Sequence, residues 1–250
     1  LPLRELDLEH NRIESVAPLA GCPSLQSLNI AANPVRDIGP LHALGLHRLQ
    51  LYRTKVTSLE PLRGMPLEVL DAMDCGVDDL SPLRGMPLTE LWLDRTPVTS
   101  LEPLRGLPLT NITLSGCAVK ELNPLRGAPL RRLHASHARI RDISPLEGMP
   151  LREVELHDNL ITDLSPLDGA PLSYVLVTGN PLRDLGPLAE NPPAWTALDT
   201  LQGPPGRLPA LLSRWQRDGD TLAARISRAA TAFRHGDTAA LRAAAVPFAG

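Results

Sequence analysis

Aromatic side chains are scarce: two Phe, two Tyr and three Trp make up 3% of 250 residues. A core normally uses such rings as bulk, so the 43% hydrophobic content must pack as an aliphatic interior. Lysine is almost absent, Lys55 and Lys120 being the only two, and nearly all basic charge is Arg. With abundant Ala, Pro and Leu, this composition points to a GC-rich bacterial genome. The formal net charge of −3 excludes a global attraction to nucleic acid or to an anionic membrane. No apolar run approaches the roughly 20 residues needed to span a bilayer. No secretory leader pattern opens the chain, which decides little, because the chain begins in mid-pattern.

What is present is a repeat. The stretch "PLRGMPLTELWLDRTPVTSLEPLRGLPL", Pro82 to Leu109, writes Pro-Leu-Arg-Gly-x-Pro-Leu twice, 21 residues apart. Aligned on that phrase, nine copies start at Leu3, Leu25, Leu46, Leu67, Leu88, Leu109, Leu130, Leu151 and Leu172. The first is 22 residues long and the other eight 21, and they fill 3–192. "LPL" at the start reads as the tail of an earlier copy, so the chain is expected to be a piece of something longer.

Each copy reads L-x-x-L-x-L-x-x-N/T/C-x-I/V-x-D/S-L-x-P-L-x-G-x-P. The x-L-x-L-x segment alternates with period two and predicts a short strand buried on one face. Leu91 and Leu93 are expected inward; Glu90, Trp92 and Asp94 outward. The Pro-rich segment cannot sit in a sheet and must turn the chain back. One copy cannot bury its leucines alone, so neighbours stack. Strands about 4.8 Å apart then give a concave face roughly 40 Å long.

This pattern resembles the leucine-rich repeat, L-x-x-L-x-L-x-x-N/C-x-L. The short unit with its Pro-Leu turn is similar to the internalin and phosphatase-regulator class, and "LSPLRGMPL" looks like bacterial repeats attached to kinase or other signalling domains. The resemblance implies an α/β solenoid: a horseshoe or arc with a parallel concave sheet, 3₁₀ or irregular convex turns, and a binding role. The domains are therefore expected to be a solenoid over 1–192, a Pro/Gly-rich linker over 193–206 and a helical element over 207–250. In that last segment Leu208, Leu211, Leu212 and Trp215 follow helical spacing. It either caps the last repeat or recruits a partner or a second copy.

The ninth position reads Asn11, Asn33, Thr54, Cys75, Thr96, Cys117, Ala138, Asn159 and Asn180. Such side chains can bond free backbone groups where the strand ends, and Ala138, which cannot, marks an expected soft spot. Cys75 and Cys117 stand two repeats apart, about 10 Å by the strand spacing. That is too far for a disulfide, which needs Cα atoms within about 7 Å. With Cys22 they make three free thiols, which suits a reducing, cytoplasmic compartment. Arg63, Arg84, Arg105 and Arg126 should form a convex stripe partly offset by Glu60 and Glu102.

Two surface groups stand out. Tyr52, Trp92 and Tyr174, the repeats' only aromatics, all fall at outward strand positions. Tyr52, Met73 and Trp92 form an apolar centre, with Arg48, Arg53, Asp71, Asp74, Glu90, Asp94 and Arg95 around it, as interface hot spots are built. A second, polar patch gathers His134, His137, Glu153, Glu155, His157 and Asp158 with Ser136. By register His134 meets Glu155, Ser136 meets His157, and His137 meets Asp158, all on the exposed side or its rim. The residue types of a triad or a metal site are there, but an open sheet offers no oxyanion donors and excludes no water. The sequence thus predicts a protein-binding module, monomeric unless the tail dimerises it, with no catalytic residue, metal or cofactor and no nucleic-acid or membrane partner. The alternative is a substrate-recognition or regulatory region of a signalling enzyme, such as a kinase, whose catalytic domain lies elsewhere.

Overall fold

The computed structural model describes residues 2–182 and the backbone of Trp195–Thr196. The helical element expected over 207–250 lies outside the described residues. One parallel sheet runs in strict chain order. Its strands are β1 Glu5–Asp7, β2 Ser27–Asn29, β3 Arg48–Gln50, β4 Val69–Asp71, β5 Glu90–Trp92, β6 Asn111–Thr113, β7 Arg132–His134, β8 Glu153–Glu155 and β9 Tyr174–Leu176. A tenth, β10 Trp195–Thr196, pairs with β9 inside the segment read from sequence as linker. Every pairing joins equivalent repeat positions, Leu49 to Leu70 to Leu91 to Ile112.

The strand is only three residues long because the alternating x-L-x segment is bounded on both sides by turns. Its central residue is buried in every repeat from Leu28 to Val175, together with the aliphatic residue just after the strand and the apolar residues of the return segment. Among the described residues the core is one continuous aliphatic column with no aromatic ring in it. Each described return segment forms a short 3₁₀ helix with Pro in its first turn, as in Glu60–Leu62, Ser81–Leu83 and Glu102–Leu104. Among the described residues there is no α-helix, and the convex turns are 3₁₀ or irregular, as the resemblance implies.

The D/S at the thirteenth position has a clear cause. Asp79 Oδ1 accepts the amide hydrogen of Ser81 at 2.8 Å, and Asp142, Asp163 and Ser58 do the same two residues on. These side chains satisfy an amide that a 3₁₀ start leaves unpaired. The turn ends on a glycine such as Gly64 or Gly106, both at φ +77°, a left-handed conformation that favours glycine.

The ninth-position ladder is real and reaches backward. Asn33 Nδ2 donates to Leu8 O at 2.8 Å, Asn159 Nδ2 to Ala135 O at 2.8 Å and Asn180 Nδ2 to Leu156 O at 2.8 Å. Thr and Cys take over in the middle: the Cys75 thiol donates to Leu51 O at 3.1 Å and the Cys117 thiol to Leu93 O at 3.0 Å. Burial pushes both thiols above their ordinary pKa, so they stay protonated donors. Ala138 brings no side-chain bond to the ladder, and there Asn159 in the next repeat accepts the backbone amide hydrogen of Ala138 at 3.1 Å.

Candidate functional site

On the sheet face, three adjacent repeats lay their side chains out as a grid. The third positions are Arg48, Val69 and Glu90, and the fifth are Gln50, Asp71 and Trp92, in register on β3, β4 and β5. Beyond the strand ends come Tyr52, Met73 and Asp94, then Arg53, Asp74 and Arg95. The ladder continues there: Arg53 N donates to Met73 O and Asp74 N to Asp94 O, each at 3.0 Å. All ten side chains predicted for the binding surface therefore lie on one patch. Val69, 93% buried at its third position, and Gln50 belong to it too. The sequence reading passed over them because one is a plain aliphatic and the other uncharged, although register alone places them there.

Two expectations need correcting. Tyr52 is not on a strand: β3 ends at Gln50, and Tyr52 occupies the turn that follows. Nor are the three apolar members fully exposed; Tyr52, Met73 and Trp92 are each half-buried, since stacked neighbours cover their flanks. Tyr174 does lie on a strand, β9, but pairs with Glu153 of β8 at the far end of the described sheet. It is not part of this patch.

The eighth position carries a feature the sequence does not announce. Every repeat adopts φ > 0 there, from His10 (φ 56°) through Arg53 (53°), Asp74 (54°) and Arg95 (57°) to Gly179 (66°). Only two of the nine are glycine, so the backbone ladder holds the others in a conformation that L-residues rarely take. The result is a rail of side chains along one edge of the sheet. On it Asp74 receives a two-pronged bond from Arg95, Nε and Nη2 both at 2.6 Å, and lies 3.6 Å from Arg53. The Arg95 bond first, and the positive charge second, hold the Asp74 carboxyl below its usual pKa. Arg53 also stacks over Tyr52, 5.1 Å from the ring centre, a cation–π distance.

Asp71 is the opposite case. Its carboxylate accepts the Met73 amide hydrogen at 3.0 Å, but among the described residues no cation bonds it. Burial pushes its pKa up to about 6, and the charges acting on it, Asp94, Asp74 and Glu9, are all acidic. Glu90 and Asp94 are better provided for: Asn111 donates to Glu90, and Thr113 Oγ1 donates to Asp94 at 2.7 Å. Arg48 is exposed and, among the described residues, has no acidic partner.

The polar patch four repeats along assembles as the register predicts. His134 pairs with Glu155 across β7 and β8, with 3.9 Å between Nδ1 and Oε2, and Arg132 bonds Glu153 at 2.5 Å. His157 Nδ1 and Ser136 Oγ are 2.7 Å apart, and His137 Nδ1 lies 3.6 Å from Asp158 Oδ2. Ser136, however, is fully buried, not on the exposed side or its rim. A nucleophile must reach its substrate, so the Ser136–His157 pair has the contacts of a catalytic dyad without the access. On the convex side Arg63 and Arg105 are held by Glu60 and Glu102, with shortest contacts of 2.7 Å. Arg84 and Arg126 have no such partner among the described residues.

Comparison with known proteins agrees with this architecture. A family model described as "Leucine Rich repeats (2 copies)" matches residues 3–41. A search of curated protein sequences finds no match. Among solved structures, an internalin (inlF) of Listeria monocytogenes superposes with a TM-score of 0.73 at 28% identity over 75% of this chain, which spans 58% of that chain's length. Internalin C2 (inlC2) of the same organism gives 0.68 at 30% identity, over 70% of this chain and 80% of that one. The functional domain of InlJ, also from L. monocytogenes and described as including a cysteine ladder, gives 0.58 at 22% identity over 76% of this chain and 42% of that one. That last likeness concerns the fold alone.

Proposed function

The chain belongs to the leucine-rich repeat family, in its bacterial internalin class, and from that premise we propose that it is a non-catalytic module binding a protein on its concave face. Proteins of this fold commonly bind protein partners, and no helix among the described residues is long and apolar enough to cross a membrane. The observation that carries the reading is Asp71 beside Trp92, a half-buried carboxylate with no cation of its own among the described residues and an indole next to it in register. A Lys or Arg presented by the partner would pair with Asp71 and lie against the ring, combining ion pairing with cation–π attraction. Arg48, exposed at the rim, is free to meet an acidic side chain. The burial of Ser136 supports the non-catalytic part of the reading. The partner is accordingly a protein with a basic residue set in an apolar segment, bound by a single copy of this chain. A reducing, cytoplasmic compartment belongs to the same proposal and rests on three thiols with no disulfide.

The test is capture of partners on the immobilised chain, followed by titration of each purified candidate against variants. Trp92→Ala is expected to weaken binding by about 2 kcal/mol, roughly thirtyfold, and Asp71→Asn by about tenfold. Undiminished binding by a Trp92→Ala, Tyr52→Ala double variant would remove this patch from the interface.

A further inference from the structure

The polar patch contains a cluster that the binding surface does not use. One ring nitrogen each of His137 and His157 and a carboxylate oxygen of Asp158 all lie within 4.8 Å of one another. We propose that His137, His157 and Asp158 form a binding site for a borderline divalent transition ion, of which zinc is the representative.

The donor set fits that class. Two neutral imidazoles and one carboxylate are the ligands such ions prefer over calcium or magnesium, which take oxygen. A tetrahedral ion with bonds near 2.0–2.1 Å places its ligand atoms about 3.3 Å apart. His137 Nδ1 and Asp158 Oδ2 are already 3.6 Å apart. The remaining closure needs only a side-chain adjustment on a rim where His137 and Asp158 are 59% and 51% exposed. The two imidazole rings meet edge to face, with centres 4.9 Å apart, so closing on an ion does not first require separating a stacked pair.

Support around the ligands is present as well. Ser136, fully buried, holds His157 through Nδ1 at 2.7 Å. With its proton on Nδ1 and donated to Ser136 Oγ, the ring keeps the Nε2 lone pair for a metal, the arrangement by which a second group commonly orients a ligating histidine. Ser136 thereby has a task that its burial allows, as a positioning residue rather than a nucleophile. Space is provided along the rail: the neighbours of His137 and Asp158 in the eighth-position column are Gly116 and Gly179. A Cβ at Gly179 would overlap the Asp158 carboxylate. Three protein ligands on an open rim leave at least one coordination position to water.

The experiment is calorimetric titration of the untagged full chain with zinc alone at neutral pH, with circular dichroism melts of each variant in the absence of metal. The expected result is saturable binding at a single site in the submillimolar range or tighter. Asp158→Asn, nearly isosteric, should weaken it at least about tenfold, and Ser136→Ala by about 10–100-fold. His137→Ala with His157→Ala should abolish it, while His10→Ala, on the same rail far from the cluster, should leave it unchanged. No saturable binding by the native chain would overturn the proposal. Binding that persists unaltered in the folded His137→Ala, His157→Ala variant would overturn it equally, by locating the ion elsewhere.

Discussion

Asn159 reaches back one repeat and accepts the amide hydrogen of Ala138 at 3.1 Å and that of Ile140 at 3.0 Å. The same side chain donates to Ala135 O and Leu156 O. One residue thus ties together two turns of the solenoid, at the place where the ladder has lost its own polar side chain. Asn159→Ala would leave two amide hydrogens without an acceptor in a buried setting, each costing about 1–3 kcal/mol. A loss of about 3–5 kcal/mol is expected from urea unfolding. Asn11→Ala, an exposed rung with bonds only to Leu8 O and Glu9 O, should cost under about 1 kcal/mol. Equal effects at the two positions would contradict the ladder's role.

Asp71→Asn should stabilise the chain at neutral pH. The carboxyl has its pKa raised to about 6 by burial, so the folded state disfavours its ionised form. The sign follows: this group costs no stability when protonated, and its penalty develops as pH rises from near 4 through about 6. Half-exposure screens the effect, leaving about 1–2 kcal/mol at pH 7. Asn can keep the one bond that matters, since Asn29 accepts the Ala31 amide hydrogen at 3.0 Å in the same repeat position. The thermal midpoints of native and Asp71→Asn chains should converge near pH 4 and separate by pH 7. A gap that does not change with pH would refute the assignment. If the binding proposal is also right, the same variant gains stability and loses affinity.

Asp74 should behave in the reverse sense. Arg95 holds its carboxyl below the usual range, so its contribution is present above the unfolded carboxylate pKa and is lost as pH falls through the folded one. The arginines are about 60% exposed, which limits the contribution to about 0.5–1 kcal/mol at neutral pH. Asp74→Asn is expected to lower stability by that amount at pH 7 at low salt, less at high salt, and not at all in strong acid. A loss that survives molar salt would point to packing rather than charge.

Leu91, fully buried between Leu70 and Ile112 on neighbouring strands, tests the column. Leu91→Ala should cost about 2–5 kcal/mol. Because each repeat is covered only by its neighbours, hydrogen exchange should accelerate in the flanking repeats as well as in the mutated one. An unchanged urea midpoint would mean that Leu91 is not core.

The amino-acid sequence by itself determined the repeat length, the parallel register and the inward column. A 21-residue period from Leu25 onward leaves one way to stack leucines, and that stacking alone brings His134 to Glu155 and Asp71 to Trp92. The thirteenth-position D/S and the terminal glycine were equally legible, being local turn chemistry. Period does not determine how deep a side chain lies once the strand has ended. Tyr52, Met73, Ser136 and His157 share the seventh position, yet Ser136 is fully buried and the others are half-buried. A small side chain there is roofed by the larger one of the next repeat, here His157. Nor does any glycine or asparagine signature mark the left-handed eighth position, because the inter-repeat ladder enforces that conformation on Arg, Asp, His and Ala alike. The isolation of Asp71 from any described cation, and the convergence of His137, His157 and Asp158, rest on side-chain size and rotamer across neighbouring repeats. Those are set only when the solenoid packs.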